Sequence, residues 1–225
     1  MNSTGPEDPL NGGRTTAGVV RVGDTVRRPQ GAHSPFVHRL LFELGARGCV
    51  FAPRFLGIDD QKREILSYLP GEVPGQLGAF SDSQLDAAAR LLRALHDATP
   101  ESPLRGIDEV VCHGDASPCN AVFLHGMPYA WIDFDSAHPG SRSDDLGYAA
   151  WLWLDIGNDD YAARMQARRL ARFFAAYGAA NRVDPTQSIL EAQEKLCRRG
   201  GVHQDWARQC RLWTLKHRTV LQASP

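Results

Sequence analysis

Several features that mark specialised protein classes are missing from this sequence. It has no apolar run long enough to cross a bilayer and no pattern of a secretory leader, so no membrane partner is expected and the cytoplasm is the expected compartment. It has no surplus of one charge: 25 Lys and Arg stand against 26 Asp and Glu, a formal net charge of −1. Without a basic field, nucleic acid is not an expected partner. The five cysteines are odd in number and follow no disulfide-scaffold spacing, which fits a reducing compartment. Internal repeats and low-complexity tracts are also missing.

What is there is the composition of an ordinary globular protein, 43% hydrophobic and 23% charged over 225 residues. That length makes one large domain or two small lobes and buries a core without covalent staples. The first seventy residues read as a small sheet with one helix. A glycine-bearing turn, Gly12 to Gly18, precedes a strand at Val19–Val22, a turn at Gly23-Asp24, and a strand at Thr25–Arg28 that Pro29 ends. Glycines there would let backbone N–H groups approach phosphate without a Cβ in the way, although a plain turn has the same signature. Ser34 to Ala46 reads as a helix with Ser34 as N-cap, Pro35 at its first position and Val37, Leu40, Leu41 and Leu44 as its apolar face. Strands follow at Arg54–Ile58 and Glu64–Leu69, then a Pro- and Gly-rich connector from Pro70 to Gly78.

From Ser81 the chain reads as helical. Ser81–Ala98 has a Ser N-cap and Leu85, Ala88, Leu92 and Leu95 at helical spacing. Further helices are expected at Tyr148–Ile156, Tyr161–Ala180, Pro185–Cys197 and His203–Gln222. The fold class is therefore α+β, a β-rich first part and a mainly helical remainder.

Between these parts lies the stretch that carries chemistry, HGDASPCNAVFLHGMPYAWIDFDSAHPGSRSDDLG, from His113 to Gly147. Val110-Val111-Cys112 leads into a loop that Pro118 keeps non-helical. Ala121–Leu124 and Tyr129–Ile132 form a hairpin around His125-Gly126. Asp115 lies in the loop before the hairpin, Asn120 at its start and Asp133 at its end, so the three side chains can converge on one point. Cys112, His113 and Cys119 match no zinc spacing and read as packing.

The stretch resembles the catalytic region of the aminoglycoside phosphotransferase family, relatives of choline kinase and of protein kinases. HGDASPCN is similar to the family's H-G-D-x-x-x-x-N, IDFDSAHPG to its I-D-[FWL]-[DEG]-x-A-x-x-G, and DDLGYAAW to the helix start that follows. The resemblance implies a two-lobed protein-kinase-like fold, with residues 1–70 as a nucleotide-covering lobe and 71–225 as the lobe bearing the catalytic loop and acceptor site. It implies that Asp115 orients or deprotonates an acceptor hydroxyl, and that Asn120 and Asp133 hold Mg²⁺ through hard oxygen ligands. Asp145 and His113 are implied as supports of the loop. Asp135 reads as a metal or substrate contact or as a solvated loop carboxylate.

In the first lobe, the resemblance implies a strand cation on the nucleotide phosphates. Arg27 and Arg28 are the candidates; alternation lets only one face the cleft, and the V-L-R-R-P-like pattern favours Arg27, with Gly13 in the phosphate loop. The glutamate that the family's helix offers to that cation has no counterpart, because Val37 stands in its place and Glu43 lies too far along. Ser67 and Leu69 fall in the implied hinge, where backbone groups would bond the purine of ATP or GTP.

On the acceptor side, Asp155, Asp159 and Asp160 would suit an amine-bearing substrate or form a solvated loop. Trp151 and Trp153 are core or pocket wall, and at i and i+2 they cannot share a helix face. Arg164, Arg168, Arg169 and Arg172 read as an exposed helix face. The implied activity is transfer of a γ-phosphate from ATP or GTP to a small hydroxylated acceptor, an aminoglycoside-like antibiotic among them. A kinase-fold binding protein without turnover is the alternative.

Overall fold

The computed structural model describes residues 5–10, 18–179 and 183–223. Five short strands make the first sheet: β1 (Asp8–Pro9), β2 (Val20–Val22), β3 (Thr25–Pro29), β4 (Phe55–Ile58) and β5 (Arg63–Ser67). Their order is β1-β2-β3-β5-β4 and every pairing is antiparallel. The register sets Val26 opposite Leu66 and Arg28 opposite Glu64. Strand β5 ends at Ser67 rather than Leu69, and one further ladder bond follows it, from the Tyr68 N–H to the Asp24 carbonyl (2.9 Å). The helix α1 (Ser34–Ala46) buries Val37, Leu40, Leu41 and Leu44 as its spacing implied. Its N-cap is His33 and not Ser34. The Ser34 hydroxyl instead accepts the Gly31 N–H (2.9 Å) and closes the turn before the helix.

The connector after β5 is pinned to the rest of the molecule. Glu72 and Phe123 exchange both backbone hydrogen bonds (2.9 and 2.7 Å). Gly71 permits this: its φ is +142°, and a Cβ there would sit 2.3 Å from the Phe123 carbonyl oxygen. Helix α2 (Asp82–Asp97) follows, with a Ser81–Gln84 capping box that satisfies two end donors reciprocally.

Strand β6 (Val110–Cys112) pairs antiparallel with β9 (His138–Gly140), and β7 (Ala121–Leu124) with β8 (Met127–Trp131) as the expected hairpin. The three residues of β9, His-Pro-Gly, carry no strand signal of their own. Helix α3 (Arg142–Trp153) begins six residues earlier than its apolar pattern suggested, because Ser141 caps it by accepting the Asp144 N–H (3.2 Å). Then come α4 (Ala163–Tyr177), α5 (Pro185–Arg199), α6 (Gln204–Lys216) and α7 (Arg218–Gln222). The single helix expected over 203–222 is broken at His217, whose ring leans on Trp213 with centroids 4.5 Å apart.

Helix α3 is the core. It is buried on nearly all sides, which is why it shows little of the one-sided apolar stripe of a surface helix. Trp151 and Trp153 are both buried on different faces: Trp151 stacks on Trp206 of α6, and Trp153 packs with Phe80, Phe123 and Trp131. Arg169 and Arg172 are not simply an exposed face, since they tie α4 to α2 through the Phe80 carbonyl, Asp82 and Asp86. Helices α3 and α5 approach closely at Gly147, where a Cβ would lie 2.4 Å from the Ser188 carbonyl oxygen. Gly147→Ala is therefore expected to destabilise by about 1–3 kcal/mol through forced separation of the two backbones. Thermal unfolding should register it as a Tm lowered by about 3–10 °C, and an unchanged Tm would contradict this packing.

Candidate functional site

The site grows from a buried carboxylate. Asp145, in the first turn of α3, accepts the backbone N–H groups of His113 (2.7 Å) and Gly114 (3.0 Å) and the His96 ring N–H (3.0 Å). His96 is held in turn by the Tyr177 hydroxyl (2.7 Å). Burial alone would raise the carboxyl's pKa. The His96 hydrogen bond and the other partners offset it, so Asp145 stays below the usual aspartate range. Gly114 is required in this turn: its φ is +76°, and a Cβ would come within 2.1 Å of the Ser136 carbonyl oxygen.

His113 is a strut. Its Nε2 lies 3.1 Å from the Ile132 carbonyl and its Nδ1 accepts the Asp115 N–H at 3.3 Å, which assigns the neutral tautomer protonated on Nε2. Burial pushes its pKa down. The ring packs between Phe134 and Trp131 and links the loop to the end of β8.

On this frame Asp115, Asn120 and Asp133 come to one wall of a cleft of about 1130 Å³. The Asn120 side-chain NH₂ donates to the Asp115 backbone carbonyl (2.9 Å), and the Asn120 backbone carbonyl accepts the Ile132 N–H (2.9 Å). Asp133 follows with a left-handed backbone, φ +59°, a costly conformation of the kind that functional sites retain. Burial, with Asp135 nearby, holds its carboxyl above the usual range in spite of Arg28. The Tyr148 hydroxyl of α3 donates to Asp115 Oδ1 (3.0 Å), and burial pushes the Tyr148 phenol well up.

Across the cleft the cation is Arg28, and the expectation of Arg27 is corrected. Val26, Arg28 and Leu66 border the cleft, and successive strand residues point to opposite faces. Arg27 faces away, donating to Thr25 Oγ1 (2.5 Å) and lying 3.8 Å from Asp59. The Arg28 guanidinium reaches three carboxylates: Glu64 through Nε, Asp133 Oδ1 at 3.2 Å, and Asp135. Glu64 is fully buried, and its other oxygen takes the His38 ring at 2.5 Å. Helix α1 thus offers a histidine, and the carboxylate that braces the cation comes from β5. Glu43 is engaged elsewhere, by the Ser102 hydroxyl.

Ser67 and Leu69 both border the cleft, but the Ser67 N–H is already given to the Arg54 carbonyl (2.9 Å). Gly13 lies outside the described residues. Asp155 borders the far end of the cleft with Asn158, whereas Asp159 and Asp160 do not. His96, Cys112 and Asp145 come within 4.8 Å of one another. Their polar atoms are spent on mutual and backbone hydrogen bonds, including Cys112 Sγ to the Ser141 carbonyl, which makes the trio packing rather than a metal centre.

Glu64, His38 and Tyr148 escaped the sequence reading. The signal for Glu64 was its register opposite Arg28, which needs the knowledge that β3 pairs with β5.

This is the architecture of the kinase-like phosphotransferases. Among solved structures, a choline/ethanolamine kinase family protein from Mesorhizobium loti matches with a TM-score of 0.60 at 14% identity, over 98% of this chain and 94% of that one. An aminoglycoside phosphotransferase homologue from Ralstonia eutropha JMP134 matches with a TM-score of 0.58 at 14% identity, over 98% and 94%. A gentamicin-bound aminoglycoside 2″-phosphotransferase matches with a TM-score of 0.56 at 12% identity, over 98% and 92%. At such identities the likeness is one of fold, and the expected two-lobed α+β kinase-like class is the fold found. No protein-family model matches the chain. The chain belongs to the family of the trifolitoxin immunity protein of Rhizobium leguminosarum bv. trifolii, to which it is 30% identical over 253 residues, spanning 95% of this chain and 96% of that protein.

Asp145→Asn is expected to cost about 3–5 kcal/mol at neutral pH, because the buried histidine and two N–H groups lose their anion. The folded pKa of Asp145 is lowered, so its contribution is present above the unfolded value of about 4 and is lost as pH falls through the folded value. Urea unfolding of both proteins should show the gap narrowing below about pH 4; a gap that stays constant into strong acid contradicts the assignment.

Proposed function

We propose that this protein is a nucleotide- and Mg²⁺-dependent O-phosphotransferase acting on a small hydroxylated acceptor. The observation that carries the reading is the meeting of Asp115, Asn120 and Asp133 on one wall of a cleft with Arg28 opposite. In this reading residues 1–70 cover the nucleotide and residues 71–225 carry the catalytic loop and acceptor site.

Asp115 accepts the hydrogen bond of the acceptor hydroxyl, orients it, and takes its proton as the phosphoryl group moves. Tyr148 holds that carboxylate in place through Oδ1. Asn120 and Asp133 hold the metal. The donor set fits it: the Asn120 NH₂ is committed to the Asp115 carbonyl, which leaves the amide oxygen as the free ligand atom, and Asp133 is a partly desolvated carboxylate. Mg²⁺, when bound, neutralises charge on the phosphate oxygens of the nucleotide. Arg28 is the counter-cation for Asp133 and Asp135, and nucleotide phosphates offer it equivalent anionic partners. Leu69, and Ser67 by groups other than its committed N–H, supply the hinge contacts to the purine of ATP or GTP. The kinship with an immunity protein supports a protective role, phosphorylation of a toxic acceptor.

One observation favours a second reading. Arg28 is satisfied by three carboxylates and α1 carries no glutamate for it, which suits a cleft that binds ligand without turnover. Two measurements separate the readings. Mg²⁺ and ATP or GTP together should raise Tm by about 5–10 °C near 100-fold saturation, and either alone should raise it much less. In a phosphorylation assay over a panel of hydroxylated compounds, antibiotics included, Asp115→Asn should lower the rate by about 10²–10⁴-fold with its fold intact. Nucleotide binding with no transfer to any acceptor favours the second reading; no nucleotide response at all removes the first.

A further inference from the structure

Beyond Asp115 the cleft continues into a chamber between α3, the 154–161 loop and the α5–α6 hairpin. Its carboxylates are few. Apart from Asp115 itself, Asp155 lines it, and one Asp155 oxygen is already taken by the Asn158 amide (2.9 Å). A polyamine acceptor needs several anions, and this chamber does not supply them. It does supply a cation. Arg199, the last residue of α5, lines the chamber and makes no ion pair or hydrogen bond among the described residues.

Arg199 is exposed, and what sets it apart is its place on the lining of the cleft. On the same two helices Glu194 pairs with Arg198 and Arg211, Lys195 with Asp144, and Arg208 with Asp205. Arg199 is left over beside the cleft, and its charge bears on the Tyr148 phenol that touches Asp115. The same cleft is bordered by a flat apolar surface: Trp206, 38% exposed, lies over the buried Trp151 with ring centroids 4.8 Å apart and planes 15° apart. Leu152 and Leu196 complete the apolar lining.

We infer that this chamber takes an acceptor bearing a carboxylate beside its hydroxyl and a planar apolar group, with Arg199 receiving the carboxylate and Trp206 the plane. Calling the occupant an acceptor rests on the phosphotransferase reading above; the binding chemistry does not. A guanidinium forks onto a carboxylate with two hydrogen bonds, and an aromatic face takes up planar groups by stacking. Arg199 is the exposed last residue of α5 and carries no side-chain hydrogen bond or ion pair among the described residues, so the variant should fold.

The test is isothermal titration with 3-phenyllactate, its methyl ester and 2-amino-1-phenylethanol, which share a ring and a hydroxyl and differ in charge. The native protein should bind the acid about tenfold tighter than the ester, and the amine least. Arg199→Gln should bring acid and ester to parity, and Trp206→Ala should weaken both by the same factor. An ester or amine as tight as the acid, an acid preference that survives Arg199→Gln, or no binding of the acid overturns the inference. The same proteins titrated with Mg²⁺ and nucleotide report the other reading separately. A nucleotide response without acid preference overturns the chamber alone, and acid preference without nucleotide response upholds the chamber and removes phosphotransfer.

Discussion

The buried Asp145 carboxylate is the constraint on which the site depends. It anchors three parts of the chain that are remote in sequence: α3, which carries it, α2 through His96, and the loop from His113 through two backbone N–H groups. Each partner needs the others. Loop N–H groups that turn inward must find an acceptor, and a carboxylate out of water must find several donors or give up its charge. Because the network is fully satisfied it is stiff. Its stiffness passes through the His113 ring to Ile132, the residue before Asp133. The loop with Asp115 and Asn120 and the strand end with Asp133 are thereby held in one frame.

A second balance of charge spans the cleft. Arg28 of the first sheet meets Asp133 and Asp135 of the helical part, and Glu64 with His38 holds it from behind. Ion pairs of this kind contribute little net stability once desolvation is counted, but they fix geometry. The Glu72–Phe123 backbone pair, admitted by Gly71, ties the connector after β5 to β7 through two hydrogen bonds. The cleft is therefore shaped by a few polar contacts laid over one continuous apolar core, in which Leu40, Leu44 and Leu66 of the first part are joined to Trp131 and Trp153 of the second. Such contacts exchange partners at little cost when a ligand brings charges of its own.

The far end of the cleft follows a different logic. Helix α3 buries Trp151 and α6 sets Trp206 over it, so one continuous aromatic stack runs from the core to the cleft surface. The acidic run of the 155–160 loop contributes only Asp155 to the lining. The electrostatic character of the chamber is decided by which charges are already paired, and pairing depends on helix faces rather than on composition.

Much of the fold was legible in the chain because it is encoded locally. The apolar spacing of α1 and α2, the Ser81 cap, the β7–β8 hairpin and the loop between His113 and Asn120 are properties of neighbouring residues, and the structure has them where the spacing put them. What neighbours do not determine was misread or missed. The β9 strand exists only because β6 lies beside it. The choice between Arg27 and Arg28 turned on which face of β3 the helical part covers. Glu64 and His38 became partners of Arg28 through the β3–β5 register and the packing of α1. Sequence by itself determined the residue types of the site and the short elements that carry them, since dihedral preference, capping and apolar periodicity act over a few residues. Tertiary structure alone decided which cation faces Asp133, which carboxylate braces it and which charges border the cleft, because each is settled by contacts between segments that only folding brings together.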